Sequence, residues 1–271
     1  MEIKVLGPLE GGARGVSVIP SASKPRQILA LLSVNAGQMI PVPTLMEEIW
    51  GEAMPRSALT TLQTYILQLR RLITAALGPC APHAAKDVLA TRHGGYLLRV
   101  PQDAVDVHAY ERLAGQGRAA ADRGADEEAA RLYREALRVW RGPAFVDVRT
   151  GPLLEIELVR LEESRLGILE RRIDADLRLG RHAELISELT TLVARHPLHE
   201  ALHAQCMVAL YRAGRQWQAL ETYQHLRKGL AAELGLDPSP RLRRLQQAIL
   251  GGDPALDAGT RRGAALDMYA A

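Results

Sequence analysis

The chain has 271 residues, 47% hydrophobic, 24% charged and only 4% aromatic, with a single Phe. That is enough apolar material for one or two domains with aliphatic cores, and no segment approaches the ~18 uninterrupted apolar residues of a membrane span. Two cysteines, Cys80 and Cys206, exclude a disulfide framework, and the opening MEIKVLGPLE has the form of neither a signal nor a transit peptide, so a cytoplasmic protein is expected. The net charge of +3 is unevenly placed. Residues 1–100 hold ten Lys/Arg against six Asp/Glu, and the rest hold 24 against 25. The basic excess of the first hundred residues favours a polyanionic partner there.

In chain order, Glu2–Leu6 alternates polar and apolar, Gly7-Pro8 breaks it, and Gly11-Gly12 precedes a second strand-like run, Val16–Ile19. The glycine-rich Gly11–Gly15 lies between two strands rather than before a helix, so it reads as a turn and not a phosphate cradle. Lys24-Pro25 suits a helix entrance, and Ile28, Leu29, Leu31, Leu32 and Val34 fill that helix until Asn35-Ala36-Gly37. Pro43 opens a second helix with Leu45, Met46, Ile49 and Trp50 inward and Gly51 closing it. Ser57 is a candidate N-cap for a third, which runs to about Ala76. Val88–Thr91 and Tyr96–Val100 then alternate around Arg92-His93-Gly94-Gly95, a β-hairpin with a basic tip.

From Asp106 the helical period is continuous. Leu179-Gly180-Arg181 and Ala213-Gly214-Arg215 stand 34 residues apart, each after one helix and before another, which is the tetratricopeptide period. A third pair, about 107–121 and 126–140 around Gly124, has the style without the spacing. After Leu250 the chain is Gly- and Ala-rich and reads as a flexible tail. The expected organisation is an α+β winged-helix domain over 1–102, an all-α tetratricopeptide-like domain over 103–250, and the tail over 251–271.

The third helix of the first domain carries the functional signal. At 100° per residue, Leu59, Leu62, Ile66, Leu69 and Ile73 form one stripe toward the core. Opposite lie Thr60, Thr64, Gln68 and Arg71, with Thr61 and Tyr65 on one flank and Gln63 and Arg70 on the other. No acid occurs between Ser57 and Ala76, in a chain with 31 of them. An acid-free polar face suits an anionic groove, since phosphates repel carboxylates. Gln pairs bidentately with adenine, Arg with guanine, and a Thr methyl meets the thymine methyl. The plain alternative is an amphipathic helix whose outer face lacks acids by chance. The order of elements weighs against it: strands, three helices with the third acid-free, then a basic hairpin make a winged helix whose third helix enters the major groove.

These segments resemble the Streptomyces antibiotic regulatory protein family, which joins an OmpR-type winged helix to a bacterial transcriptional activator domain. The resemblance spans Met1 to Leu250, about nine-tenths of the chain. In the first domain it rests on Ile3–Leu9, Lys24–Gln27, Leu45–Gly51, Leu62–Ile66 with Leu69–Leu72, and Arg92–Leu98. In the second it rests on Trp140–Pro143, Leu179–Arg181, His196–Leu198 and Leu234-Gly235. One departure is His93-Gly94 at the wing tip, where many members hold prolines. The resemblance implies a transcriptional activator of a secondary-metabolite gene cluster that binds direct repeats in promoter DNA and contacts RNA polymerase holoenzyme, as a homodimer at least on DNA. On this reading Thr60, Thr61, Thr64, Gln68 and Arg71 face the bases, and Tyr65 is a further DNA-binding candidate on the same helix. Lys24, Arg26, Arg56 and Arg70 are candidates for phosphates, and Arg92 with His93 for the wing. No catalytic residue, cofactor, metal or membrane contact is expected.

One motif speaks for another class. His199-Glu200-Ala201-Leu202-His203 is a literal H-E-x-x-H, the zinc-protease pattern in which two histidines one turn apart bind the metal and the Glu is general base. Its extended continuation is absent, since Cys206 stands where a Gly is required, and Glu221 falls on the helix of the next repeat. A structural zinc site using His199, His203 and Cys206 is a second alternative. The favoured reading is a junction between two helical repeats with Glu200 near a helix N-terminus. The P-loop, nucleophile-elbow and Cys-x-x-Cys patterns are all missing. The basic stretch Arg241–Gln246 reads as a solvated helix face. The rival function is a helical-repeat scaffold or metabolite sensor with a weak nucleic-acid grip.

Overall fold

A computed structural model describes residues 1–78 and 85–257. Its contacts separate into two compact units, Met1–Gly115 with Glu135–Leu166, and Gln116–Arg134 with the chain from Gly167 onward. No helix among the described residues is long and apolar enough to cross a membrane.

The first unit opens with an antiparallel sheet of β1 (Glu2–Lys4), β2 (Glu10–Ala13) and β3 (Val16–Ser17), in that order. The tight turn at Arg14-Gly15, both at positive φ, lets β3 fold straight back on β2. Three helices follow: α1 (Ser23–Val34), α2 (Val42–Trp50) and α3 (Ala58–Leu77). A short strand, β4 (Met39–Pro41), precedes α2, and the four-residue α4 (Ala85–Val88) leads into the hairpin β5 (Leu89–Arg92) and β6 (Gly95–Leu98). The second sheet has the antiparallel order β4-β6-β5. This is a winged helix. Gly95 is required where β4 crosses, because a Cβ there would lie 2.3 Å from the Ile40 carbonyl oxygen. Ile28, Leu32, Leu45, Leu62, Ile66, Leu69, Ile73, Leu89 and Leu98 are fully buried and make the core. At about 1.5–3 kcal/mol for each such side chain, this packing, rather than propensity, holds α3 in place.

Two local expectations need correction. Leu59 does not belong to the core stripe of α3: it is 49% exposed, and Ala58, one position earlier, is buried instead. The stripe runs from Ala58 through Leu62 and Ile66 at steps of four, and Leu59 lies about 100° round the helix from Ala58, off its edge. Ser57 occupies the N-cap position but makes no side-chain cap, because its backbone (φ −89°, ψ 10°) departs from the extended geometry a cap requires.

Packing groups the residues differently from the expected boundary at 102/103. The backbone N–H groups of Val5 and Leu6 donate to the Asp106 carboxylate at 2.8–3.0 Å, and Leu9 N–H donates to Asp147 at 2.7 Å. Arg141 and Phe145 donate their N–H groups to the Leu6 and Val5 carbonyls. Burial raises the Asp106 carboxyl above its ordinary pKa in spite of those donors. Glu48 of α2 is 2% exposed. Its carboxylate accepts from Gln27 Nε2 at 2.9 Å and from the N–H groups of Gly151, Leu153 and Leu154 at 2.7–3.2 Å. These last begin α7 (Pro152–Arg178), so a winged-helix carboxylate caps a helix whose sequence lies a hundred residues away.

The other helices are α5 (Asp106–Asp122), α6 (Asp126–Arg138), α8 (His182–Arg195), α9 (Glu200–Arg212), α10 (Gln216–Leu234) and α11 (Pro240–Gly251). The turns at Gly180 and Gly214 are built alike, as the 34-residue period predicts. Each Gly has φ near +75° and donates to the carbonyl three residues back, and the next residue donates to the carbonyl five back. Gly124, which lacked the spacing, makes the same two bonds from Gly124 and Ala125. The second unit therefore has the helix-turn-helix character of a tetratricopeptide array. Leu185, Leu189, Leu202, Met207, Leu226, Leu230 and Leu245 form its core. Buried Asp176 accepts from Arg181 and Arg134. Burial alone would lift its carboxyl, but these donors outweigh it and hold it below its ordinary value. Residues 251–257, expected to open the tail, are in part packed: Leu256 is buried, and its carbonyl accepts from Arg212 Nε at 2.7 Å. Residues 258–271 lie outside the described residues.

Candidate nucleic-acid interface

Along α3 the outer face carries Thr60, Thr64 and Arg71 exposed, with Thr61, Tyr65 and Gln68 half-buried beside them. Thr64 Oγ1 donates to the Thr60 carbonyl at 3.0 Å, which holds its rotamer. No carboxylate among the described residues pairs with Arg71, Arg56, Lys24 or Arg92, so each of these cations is open to a polyanion. Arg56 is exposed in the loop before α3.

Tyr65 is held from behind. Its ring stacks on Trp50 with centroids 6.4 Å apart and planes 22° from parallel, and Lys24 Nζ lies 5.0 Å from the Trp50 ring centroid. Three elements thus meet in one cation–aromatic–aromatic stack: the first turn of α1, the end of α2 and the middle of α3. Trp50, expected inward, is half-buried because this stack occupies it. That role has no sequence signal, since a Trp ending an amphipathic helix ordinarily reads as core.

Two of the expected phosphate ligands are spoken for. Arg70 Nε and Nη2 donate to the Leu89 carbonyl at 3.0 and 2.8 Å, and Nη2 also donates to Thr91 Oγ1 at 2.8 Å. Its guanidinium, on a half-buried residue, clamps the hairpin to α3. Arg26 forms an ion pair with Asp147. Arg70 is therefore a positioning residue, and Arg26 keeps only part of its charge for a ligand. The wing tip itself is as expected. Arg92 and His93 are exposed at the end of the β5–β6 hairpin, Arg92 pairs with Gly95, and Gly94 at φ +79° makes the turn. The Gly94 carbonyl accepts from Val42 N–H at 2.9 Å, so the tip is anchored to the start of α2.

In the second unit, the H-E-x-x-H residues are engaged separately. His199 is the N-cap of α9, with Nδ1 accepting from Leu202 N–H and Nε2 lying 3.2 Å from Glu170 Oε1. His203 directs Nδ1 to the His199 carbonyl at 3.0 Å, and burial lowers its pKa. Glu200 accepts the Ser239 N–H with both oxygens, at 3.1 Å each. Burial pushes the Cys206 thiol up to about 11, away from the thiolate that a metal requires. Among the described residues no three His, Cys, Asp or Glu side chains gather as a metal site. The motif is a helix cap and a junction of repeats. Along Arg241–Gln246, Arg243 and Arg244 are exposed, as expected of a solvated face, but Arg241 is half-buried.

Residues 17–98 match the family described as transcriptional regulatory protein, C terminal, and residues 105–250 match the bacterial transcriptional activator domain. The chain is 56% identical to regulatory protein DnrI of Streptomyces peucetius over 257 residues, covering 95% of this chain and 94% of that protein. It is 37% identical to transcriptional regulator RedD of Streptomyces coelicolor, covering 94% and 72% of the two chains. Identity to AfsR of Streptomyces griseus is 39% over 94% of this chain but only 25% of that longer protein. Mycobacterium tuberculosis EmbR, solved in complex with a low affinity phosphopeptide, superposes with a TM-score of 0.89 at 31% identity, covering 99% of this chain and 68% of that one. A winged helix with an open, acid-free third helix, a helical activator domain after it in the chain, and this agreement along nearly the whole chain place the protein in the Streptomyces antibiotic regulatory protein family of DNA-binding transcriptional regulators.

Proposed function

We propose that this protein is the pathway-specific activator of a secondary-metabolite gene cluster, binding directly repeated promoter elements as a homodimer and recruiting RNA polymerase holoenzyme. The observation that carries this reading is the outer face of α3. Thr60, Thr64, Gln68 and Arg71 are presented without a carboxylate on that helix, beside a wing that Arg70 clamps to it. In the proposed complex α3 lies in the major groove. Gln68 and Arg71 meet base edges, the Thr60, Thr61 and Thr64 methyls meet thymines, and Tyr65 is held by Trp50 at the groove wall. Lys24 and Arg56 neutralise flanking phosphates, and Arg92 with His93 reaches the backbone or the narrower minor groove. The helical repeats from residue 103 supply the protomer and polymerase contacts, as stacked repeats offer extended surfaces.

The test is transcription from a promoter adjacent to the gene, reconstituted with purified polymerase. Added protein raises transcript yield when the direct repeat is intact and leaves it unchanged when one repeat is scrambled. Equal stimulation of both templates contradicts the reading.

A further inference from the structure

The second unit holds a cavity of about 230 Å³ between α7, α9 and α11. At about 30 Å³ per water, that is room for roughly eight waters, or a solute of about ten non-hydrogen atoms. Its polar lining has two signs. Glu170 and Asp174 come from α7, Glu200 and Gln205 from α9, and Arg241 from α11.

Two of these side chains hold buried groups that nothing among the described residues satisfies. Gln205 is 4% exposed, and its Nε2 is used by the Glu170 carbonyl at 3.0 Å and Asp174 Oδ1 at 2.6 Å, but its Oε1 has no donor. Arg241 Nε and Nη2 are both buried and have no acceptor. Leaving such groups unpaired costs free energy, and each unsatisfied case in a folded protein calls for an explanation. The two vacant Arg241 donors are the side-on edge of the guanidinium, the fork that receives a carboxylate bidentately. The other carboxylates at this cavity have partners of their own, Glu200 on Ser239 N–H and Glu170 beside His199. A vacant carbonyl oxygen next to Asp174 is, conversely, a seat for an ammonium group.

We propose that this cavity binds a small amino acid-like zwitterion, its carboxylate on the Arg241 fork and its ammonium between Gln205 Oε1 and Asp174, as an effector site of the helical domain. The ligand ties α11 to α7 and α9, and it satisfies all three orphaned atoms at once. Burial raises the Asp174 carboxyl to about 6, and a bound cation offsets that penalty. The inference does not depend on how the winged helix reads DNA.

The experiment is calorimetric titration of the full chain with L-lysine, L-ornithine and 5-aminovalerate, and with n-butylamine and butyrate as halves that each lack one charge. Saturable millimolar or tighter binding is expected for at least one amine-carboxylate probe, about tenfold weaker or absent for both halves. Arg241→Gln breaks no existing hydrogen bond of the vacant edge, so it folds, as its circular dichroism and melting curve verify, and it abolishes binding. Arg241→Lys, which keeps the charge but not the fork, weakens it at least about tenfold. Absence of saturable binding by all three probes overturns the proposal, because the cavity then holds only water. Binding that survives Arg241→Gln, or that the amine half reproduces alone, overturns it as well.

Discussion

Gln68 and Arg92 sit on neighbouring features of one surface, yet their chemistry predicts different phenotypes. Gln68 is half-buried on the outer face of α3, where an amide reaches one base edge. Gln68→Ala is expected to cost about 1–3 kcal/mol on the cognate duplex and almost nothing on a scrambled one. Arg92 is exposed at a hairpin tip with no carboxylate among the described residues to hold it, so it acts as a free charge. Arg92→Ala is expected to weaken both duplexes alike and to reduce the salt slope of log K by about one contact. Arg118, on α5 in the second unit, serves as the control and changes neither. Affinities at several salt concentrations measure all three; equal losses on both duplexes for Gln68→Ala would sink its role as a base reader. Arg70 makes a third kind of case. With its guanidinium on Leu89 and Thr91, Arg70→Lys retains the charge but cannot bridge both acceptors, so affinity should fall although the net charge is constant. Unchanged affinity would return Arg70 to a spectator.

Among the elements, α7 and the strand β1 depend most on distant parts of the sequence. The Glu48 carboxylate supplies acceptors to three N-terminal N–H groups of the α7 region, and hydrogen bonds to a charged group are each worth about 1.5–3 kcal/mol. Glu48→Ala should therefore destabilise the chain by about 3 kcal/mol or more in denaturant unfolding, and Glu48→Gln by clearly less, since it keeps one oxygen. The second unit has its own signature in pH. Burial raises Asp174 to about 6 from 3.8, so between those values the folded chain binds the extra proton and stability falls as pH rises. Asp176 is shifted the other way, and its contribution is lost only below about 3.8, outside that window. Asp106, also raised, adds to the same downward slope just above 3.8. His203, whose pKa burial lowers from 6.5, contributes the opposite slope below that value, so Asp174→Asn should leave a stability profile that falls less, or rises more, between about pH 4 and 6 than that of the native chain; an unaltered profile would show that Asp174 ionises normally.

Much of this was legible one element at a time. The α3 stripe of Leu62, Ile66, Leu69 and Ile73, the hairpin around Arg92–Gly95, and the twin turns at Gly180 and Gly214 follow from periodicity and turn chemistry, which are local. What escaped was non-local. Glu48 in an amphipathic helix looks like a surface charge, because its partners lie a hundred residues on. Arg70 looks like a free cation until β5 folds beside it, and β4 is only three residues long and needs β6 to exist.

For the molecule as a whole, the same long-range bonds determine where the chain can be divided. A chain ending at Gln102 retains every element of the winged helix but loses Asp106, Arg141, Phe145 and Asp147, the partners of the Val5–Leu9 segment. It also uncovers Val5 and Leu6, both fully buried, at about 1.5–3 kcal/mol each. It should melt more than about 10 °C below a chain ending at Leu166, which keeps those partners. Equal melting temperatures would mean that the winged helix is self-sufficient at Gln102. The account as a whole rests on α3 being the surface that finds the promoter. Its most direct test is footprinting of the intact protein on the promoters beside its gene, with Gln68→Ala/Arg71→Ala in parallel and its fold verified by circular dichroism. The native chain should protect two directly repeated segments, and the double variant should protect neither at the same concentration. A footprint that the double variant reproduces, or no protected repeat from the native chain, would contradict it.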